Sequence, residues 1–412
     1  MSDAGRPTDK QTDAVAFGPK KNAKEAQVRR LREETSMTTT EELATAFQYV
    51  TRAKANLTPQ TWDYLMGGSE TETTLNRNRR ALDSYAFRPR VLRDVSNLDT
   101  STTLFGHKMR IPVMLAPIGS LEDIIKEGGT APTRAAKAFG TIHMLSSVAH
   151  PGVEKVGAAA PGYPKFFQLY VRGDADWVDA TLQRAVDNGF CGIALTVDRA
   201  HYSRRDRDVA KGHAPTARRN APTGAHQECF NWQDVERIRA KFKVPLMLKG
   251  IATVEDAMLG IDHGVDGIYI SNHGGRQLDH CEGSVGLVSE IAAAAGKRAE
   301  IIVDGCILRG GDVVKALSLG AGAVAIGRLQ GIALGAGGEA ALVRVLEILE
   351  AEMRSAMGLL GARSVAELGP NCLARAEPLS GRNWLESAFP LLREGYGGTD
   401  IAELCMRLPG EA

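Results

Sequence analysis

In Ser271-Asn272-His273-Gly274-Gly275-Arg276-Gln277 an imidazole and a guanidinium stand three residues apart, with two glycines between them. The run follows the short apolar stretch Gly267-Ile268-Tyr269-Ile270. An imidazole can take a proton near neutral pH. A guanidinium offers a carboxylate paired donors in one plane. Glycines between the two remove side chains that would block a planar ligand. Taken alone, the run also fits an ordinary strand-to-helix turn with a solvated His and Arg. The rest of the chain decides between these readings.

Other polar residues end short apolar runs in the same way. The runs end Ala116-Pro117-Ile118-Gly119, Ser146-Ser147, Gln168-Leu169-Tyr170, Thr196-Val197-Asp198, Lys249-Gly250, Ser271-Asn272-His273, Asp304-Gly305 and Gly327-Arg328. One such residue is a capped strand end, but a ring of them suits a flat polar ligand. Gly305, Gly310-Gly311 and Gly327 present backbone N–H groups, and Arg328 adds a cation. That is the composition of a phosphate cradle, although tight turns use the same glycines. A Lys such as Lys249 beside an apolar core needs an anion, either a bound ligand or a structural carboxylate such as Asp304 or Glu255.

The elements that must position these residues alternate along the chain. Strands are expected at Val113–Ala116, Ile142–Ser146, Phe166–Tyr170, Ile193–Val197, Leu246–Lys249, Gly267–Ser271, Ile301–Asp304 and Val324–Gly327. Helical patterns fall at 130–139, 174–188, 231–241, 253–263, 284–295, 309–319 and 338–357. Eight strand–helix units over about 250 residues imply an α/β fold, a (β/α)8 TIM barrel rather than an open sheet. No Gly-rich dinucleotide fingerprint follows the first strand, which argues against a Rossmann fold. Residues 1–36 read as a disordered tail. Residues 37–110 read as a helical segment capping the barrel, 111–360 as the barrel itself, and 361–412 as a C-terminal extension with weak helical signals near 383–394.

The whole chain has 412 residues, 43% of them hydrophobic and 24% charged, with a net charge of +1. This balance points to an ordinary globular protein and away from nucleic-acid or membrane partners. No apolar run approaches the roughly 20 residues a membrane span requires. The six cysteines form no C-x-x-C pair and suggest reduced thiols in the cytoplasm. His280 and Cys281 lack a third ligand, so no metal site is expected.

The Ser271–Gln277 run, together with Phe167-Gln168-Leu169-Tyr170, Leu195-Thr196-Val197-Asp198 and Leu248-Lys249-Gly250 in this order, resembles the FMN-dependent α-hydroxy acid oxidising enzymes. That family includes glycolate oxidase, lactate oxidase, lactate monooxygenase and mandelate dehydrogenase. The resemblance runs from about Thr61 to about Ser364. It implies FMN as cofactor and oxidation of an L-2-hydroxy acid to the 2-oxo acid, with O2 or another acceptor reoxidising the flavin. It further implies that Pro117, Ile118 and Gly119 lie against the flavin, and that Ser146, Gln168, Thr196 and Ser271 bond its ring or ribityl chain. Lys249 would stabilise the reduced form. Asp304, Gly305, Gly327 and Arg328 would hold the phosphate end. Tyr64 and Arg276 would bind the substrate carboxylate, and Tyr170 and Arg205 would line the reacting side. His273 would be the base, oriented by Asp198. The resemblance also implies a homotetramer or larger.

Three departures from the family pattern stand out. Leu308 occupies the place of a phosphate-binding arginine, and Arg309 follows one residue later. Arg309 is carried as the phosphate candidate, although one residue turns a helix position by about 100°. The loop from Val209 to Cys229 is short, which suggests an open mouth. Val148 and Gly119 replace larger residues beside the flavin. Two alternatives fit the same chain: oxidative decarboxylation of the lactate monooxygenase type, and a non-catalytic barrel that only binds flavin or phosphate.

Overall fold

The computed structural model describes residues 43–220 and 226–393. The tail assigned to 1–36, the first residues of the 37–110 segment and residues 394–412 of the C-terminal extension lie outside the described residues. Eight parallel strands close into a barrel. They are β1 (Val113–Leu115), β2 (His143–Ser146), β3 (Lys165–Leu169), β4 (Ile193–Thr196), β5 (Leu246–Ile251), β6 (Gly267–Ile270), β7 (Glu300–Val303) and β8 (Ala323–Ile326). Each pairs with its neighbours in chain order, and β8 returns to β1. Every residue of β1 to β4, β6 and β8 is buried. That explains their unbroken apolar runs: a parallel strand is covered on one face by the barrel interior and on the other by helices.

Met114, Met144, Phe166, Met247 and Tyr269 fill the interior. The hairpin formed by Thr102–Leu104 and His107–Met109 adds Leu104 and Met109 to the same cluster. Phe105 at its turn meets the edge of Phe166, with ring centroids 5.8 Å apart. The interior is therefore a packed core, and ligand space is confined to the end where the strands stop.

The helices of the units are α4 (Thr130–Phe139), α5 (Val153–Ala159), α6 (Ala175–Asp187), α7 (Trp232–Lys241), α8 (Val254–Asp262), α9 (Val288–Ala295), α10 (Gly310–Ser318) and α11 (Arg328–Leu360). Before them come α1 (Ala46–Asn56), α2 (Pro59–Met66) and α3 (Thr73–Asp83). Side-chain caps begin several of these. Asp174 accepts from Trp177 N at 2.9 Å, and Thr58 from Thr61 N at 3.2 Å ahead of Pro59. Helix α5 escaped the sequence expectation because seven residues carry too few turns to show a period. Helix α11 starts directly after β8 and is broken at Gly337 and Gly338, so the expected 338–357 helix is only its distal part. The C-terminal extension pairs Leu373–Arg375 antiparallel with Tyr85–Phe87, then forms the short helix Trp384–Ala388. Among the described residues, no helix is long and apolar enough to cross a membrane.

Candidate active site

Strand register sets the floor of the mouth. Ser146 lies beside Gln168 across β2 and β3, and Thr196 beside Lys249 across β4 and β5. All four are buried, as is Ser271 at the end of β6. Gln168 donates from Nε2 to Thr196 Oγ1 at 2.8 Å, while its Oε1 is buried without a partner. Lys249 Nζ donates to Ser271 Oγ at 3.2 Å, and Ser271 Oγ donates to Asp304 Oδ1 at 2.7 Å. Lys249 and Asp304 stand 3.8 Å apart. Burial pulls Lys249 down, but Asp304 and Asp198 outweigh it and the net shift is upward, so the amine is charged.

His273 sits above this floor. It is a non-glycine residue in the left-handed region, with φ +58°. Such a residue costs about 1–3 kcal/mol unless its surroundings fix it. Here His273 N donates to Ser271 Oγ at 3.0 Å, and Gly275 N donates to Asn272 Oδ1 at 2.9 Å. The ring is held from both sides. Its Nδ1 lies 3.0 Å from Asp198 Oδ1, and its Nε2 lies 3.0 Å from the Tyr170 hydroxyl. Gly250 makes room for Asp198. Its φ is +108°, and a side-chain carbon there would come within 2.6 Å of Asp198 Cβ. Burial pushes His273 down to about 4, Asp198 opposes this, and Lys249 and Arg205 add to the fall. The imidazole is therefore neutral at pH 7 and free to accept a proton.

Three guanidiniums surround the ring, and each bonds to backbone carbonyls. Arg276 bonds Tyr64 O, and it donates to Leu65 O and Gly67 O at 3.3 Å each. Arg328 donates to Gly274 O at 2.7 Å and to Gly67 O at 2.8 Å. The carbonyls of Tyr64, Leu65 and Gly67 close the C-terminal end of α2, the negative end of its dipole, whereas that of Gly274 belongs to the loop carrying His273. Arg205 donates to Arg276 O at 3.3 Å, and its buried Nε has no partner. Burial lowers Arg205 to about 9 and Arg328 to about 10, and lowers Arg276 as well; Arg276 adds to the fall at Arg205. Asp208 offsets part of the burial cost at Arg205 and Arg276 but forms no ion pair with either, and clustered cations without a direct carboxylate contact favour an anionic ligand. Tyr64 reaches the same space and donates to Gly119 O at 2.9 Å.

Of the residues singled out from sequence, Tyr64, Pro117, Ile118, Gly119, Tyr170, Arg205, Lys249, His273, Arg276, Asp304, Gly305, Gly327 and Arg328 line one mouth. Ser146, Gln168, Thr196 and Ser271 form the buried layer beneath it, and Asp198 backs His273. Arg309 is the correction. It occupies the N-cap of α10, and its guanidinium turns outward to Glu352 at 2.6 Å and Ala388 O at 3.2 Å. Leu308 lines the mouth in its place. The one-residue offset thus sends the cation to the opposite side of the helix start.

The short loop after β4 also differs from expectation. It supplies Tyr202, Pro215, Ala217 and Arg218 to the mouth. Thr216 anchors it by donating from Oγ1 to Asp123 at 2.6 Å and from N at 3.0 Å, and Ala217 N donates to Ser120 Oγ at 2.8 Å. The mouth is therefore partly covered. Sequence reasoning missed these residues because Tyr202 and Pro215 lie in irregular backbone and Ala217 and Arg218 in a four-residue helix, too short for any period.

The mouth fits FMN. The unpartnered Gln168 Oε1 and the charged Lys249 can serve an isoalloxazine edge, and Arg328 a phosphate. A side-chain carbon at Gly327 would meet nothing closer than Ala116 Cβ at 3.9 Å, so the cradle is open there.

Comparison with known proteins agrees. The chain matches the FMN-dependent dehydrogenase family over residues 53–375. Glycolate oxidase of Spinacia oleracea is 37% identical over 355 residues, covering 81% of this chain and 96% of that protein. The peroxisomal (S)-2-hydroxy-acid oxidase of Oryza sativa subsp. japonica is 38% identical over 342 residues, covering 78% and 93%. Mandelate oxidase, in its crystal structure, superposes with a TM-score of 0.76 at 36% identity, covering 82% of this chain and 99% of that one. The chain belongs to the FMN-dependent α-hydroxy acid oxidising family. FMN is its cofactor, and oxidation of a 2-hydroxy acid is its reaction class.

Proposed function

We propose that this enzyme converts an L-2-hydroxy acid to the 2-oxo acid, with His273 as the base. One observation carries the assignment: the neutral His273 ring is fixed between Asp198 and Tyr170, at 3.0 Å on each side, in a mouth lined by Arg205 and Arg276. In this reading Arg276 and Tyr64 bind the carboxylate, and Arg205 and Tyr170 bound the reacting side. His273 Nε2 takes the proton, and Asp198 stabilises the resulting imidazolium. FMN, when bound, supplies the two-electron acceptor. Lys249 offsets the negative charge that reduction places on its side of the mouth. Gln168, Thr196, Ser146 and Ser271 hold the ring, and Gly305, Gly327 and Arg328 hold the phosphate.

The test is anaerobic mixing of the yellow protein with achiral glycolate and with a panel of L-2-hydroxy acids running from lactate to mandelate. Bleaching of the flavin band is expected with at least one acid, and the D-enantiomers should leave the band unchanged. Bleaching by the D-form alone would overturn the stereochemical assignment. Admission of air then tests O2 against another acceptor. Five free cysteines among the described residues support a reducing compartment, here proposed to be the cytoplasm. A homotetramer or larger assembly rests on family resemblance, and sedimentation of the holoenzyme tests it.

A further inference from the structure

Two cations of the mouth are left without a task once its carboxylates are counted, Asp304 beside Lys249 and the buried Asp208 acting on Arg205 and Arg276. Lys249 faces Asp304, Arg328 serves the phosphate end, and Arg276 and Arg205 serve the substrate carboxylate. Arg199 and Arg218 line the same mouth and remain. Neither side chain makes an ion pair or hydrogen bond among the described residues. Both are held by aromatic faces. Arg199 Cζ lies 4.0 Å from the Tyr202 ring centroid and 4.4 Å from that of Tyr170, and Arg218 Cζ lies 5.1 Å from Tyr202. The loop segment outside the described residues, 221–225, reads Ala-Pro-Thr-Gly-Ala and contains no carboxylate to neutralise them.

The placement of the pair is specific. Tyr170 carries Arg199 on its ring face and touches His273 Nε2 with its hydroxyl. The wall therefore runs from the proton-accepting atom through Tyr170 to the Arg199–Tyr202–Arg218 cluster. A guanidinium held by its π face over a ring keeps its in-plane N–H donors for a ligand. Two of them beside one phenol match the planar, bidentate demand of a carboxylate.

We infer that this enzyme prefers 2-hydroxy acids carrying a second, distal carboxylate, which Arg199 and Arg218 bind beside Tyr202. The inference rests on the proposed function, since it places the first carboxylate on Arg276.

The test uses FMN-loaded enzyme under anaerobic conditions with chain-matched acids: L-malate against L-2-hydroxybutyrate, and L-2-hydroxyglutarate against L-2-hydroxyvalerate. In at least one pair, the ratio of the flavin-reduction rate constant to the substrate Kd should favour the diacid by about tenfold or more, the scale of one charge-assisted hydrogen bond. Arg218→Met should lower that diacid-to-monoacid preference by about tenfold through the substrate Kd, and Arg218→Lys should restore part of it. Monoacids that reduce the flavin as well as their diacid partners would overturn this inference and leave the proposed function standing. A diacid preference that survives both Arg218→Met and Arg199→Met would overturn the assigned site. No reduction by any of these acids or by the wider panel would overturn both readings.

Discussion

Asn78 and Asn272 exchange reciprocal side-chain hydrogen bonds in the interior. Asn78 donates to Asn272 Oδ1 at 2.9 Å and accepts from Asn272 Nδ2 at 2.8 Å. This amide pair fastens α3, which precedes the barrel, to the loop that carries His273. Asn78 Oδ1 also accepts from Ser284 N at 3.0 Å, so removing it strands donors on two segments. Asn78→Ala should cost about 1–3 kcal/mol of stability, the penalty for leaving buried polar groups unpaired. It should also slow flavin reduction, because His273 depends on its neighbours to hold a left-handed backbone. Thermal unfolding and stopped-flow reduction measure the two effects. An unchanged rate would show that the loop holds its shape without α3.

His273→Ala should abolish substrate reduction of the flavin while leaving the protein yellow. Rapid reduction in that variant would remove His273 from the role of base.

The pH profile tests the same residue. Burial lowers His273 to about 4, below the ordinary imidazole value near 6.5. Protonation removes the base, so kcat/KM should fall as pH drops toward about 4 and be level from pH 6.5 to 7.5 on the acid side. Asp198→Asn removes the group that favours the imidazolium. Its reduction rate should drop by about a hundredfold or more, and any remaining acid limb should move lower. A wild-type midpoint at or above 6.5 would contradict the burial argument.

Leu308 and Arg309 make opposite predictions for the cofactor. Leu308→Arg would place a cation on the mouth side and should tighten FMN binding by about tenfold. Arg309→Ala should leave FMN affinity unchanged and lower the melting temperature, since its guanidinium serves Glu352 and Ala388 O. Fluorescence titration of deflavinated protein with FMN measures both. Loss of FMN affinity in Arg309→Ala would reverse the assignment.

Gly119 and Val148 share one volume. A side-chain carbon at 119 would come within 2.9 Å of Val148 Cγ2. Gly119→Ala should therefore destabilise by about 1–3 kcal/mol, as overpacking does. Adding Val148→Ala should recover most of that loss, giving a double-mutant coupling above about 0.5 kcal/mol. Strictly additive effects would mean that the backbone shifts to absorb the methyl group.

The loop carrying His273 was legible in the chain as a candidate site because its residues are local. His273, Gly274, Gly275 and Arg276 are consecutive, and their types and order carry the information. The barrel was legible because a doubly covered parallel strand must be an unbroken apolar run, and eight such runs alternate with helical periods. Pairing of Ser146 with Gln168, and of Thr196 with Lys249, follows once those strands stand side by side. Other relationships join residues far apart in the chain, and no period or spacing reports them. Asn78 meets Asn272 only because α3 packs against the segment that follows β6. Arg309 turns away from the mouth because α10 begins there and Glu352 on α11 stands outside. Arg199 and Arg218 become neighbours only when an aperiodic loop folds over Tyr202. Local composition selected the strands, most of the helices and the polar groups at the strand ends. Packing between distant segments decided which way each charge points, because a side chain's partner is set by where the backbone brings it.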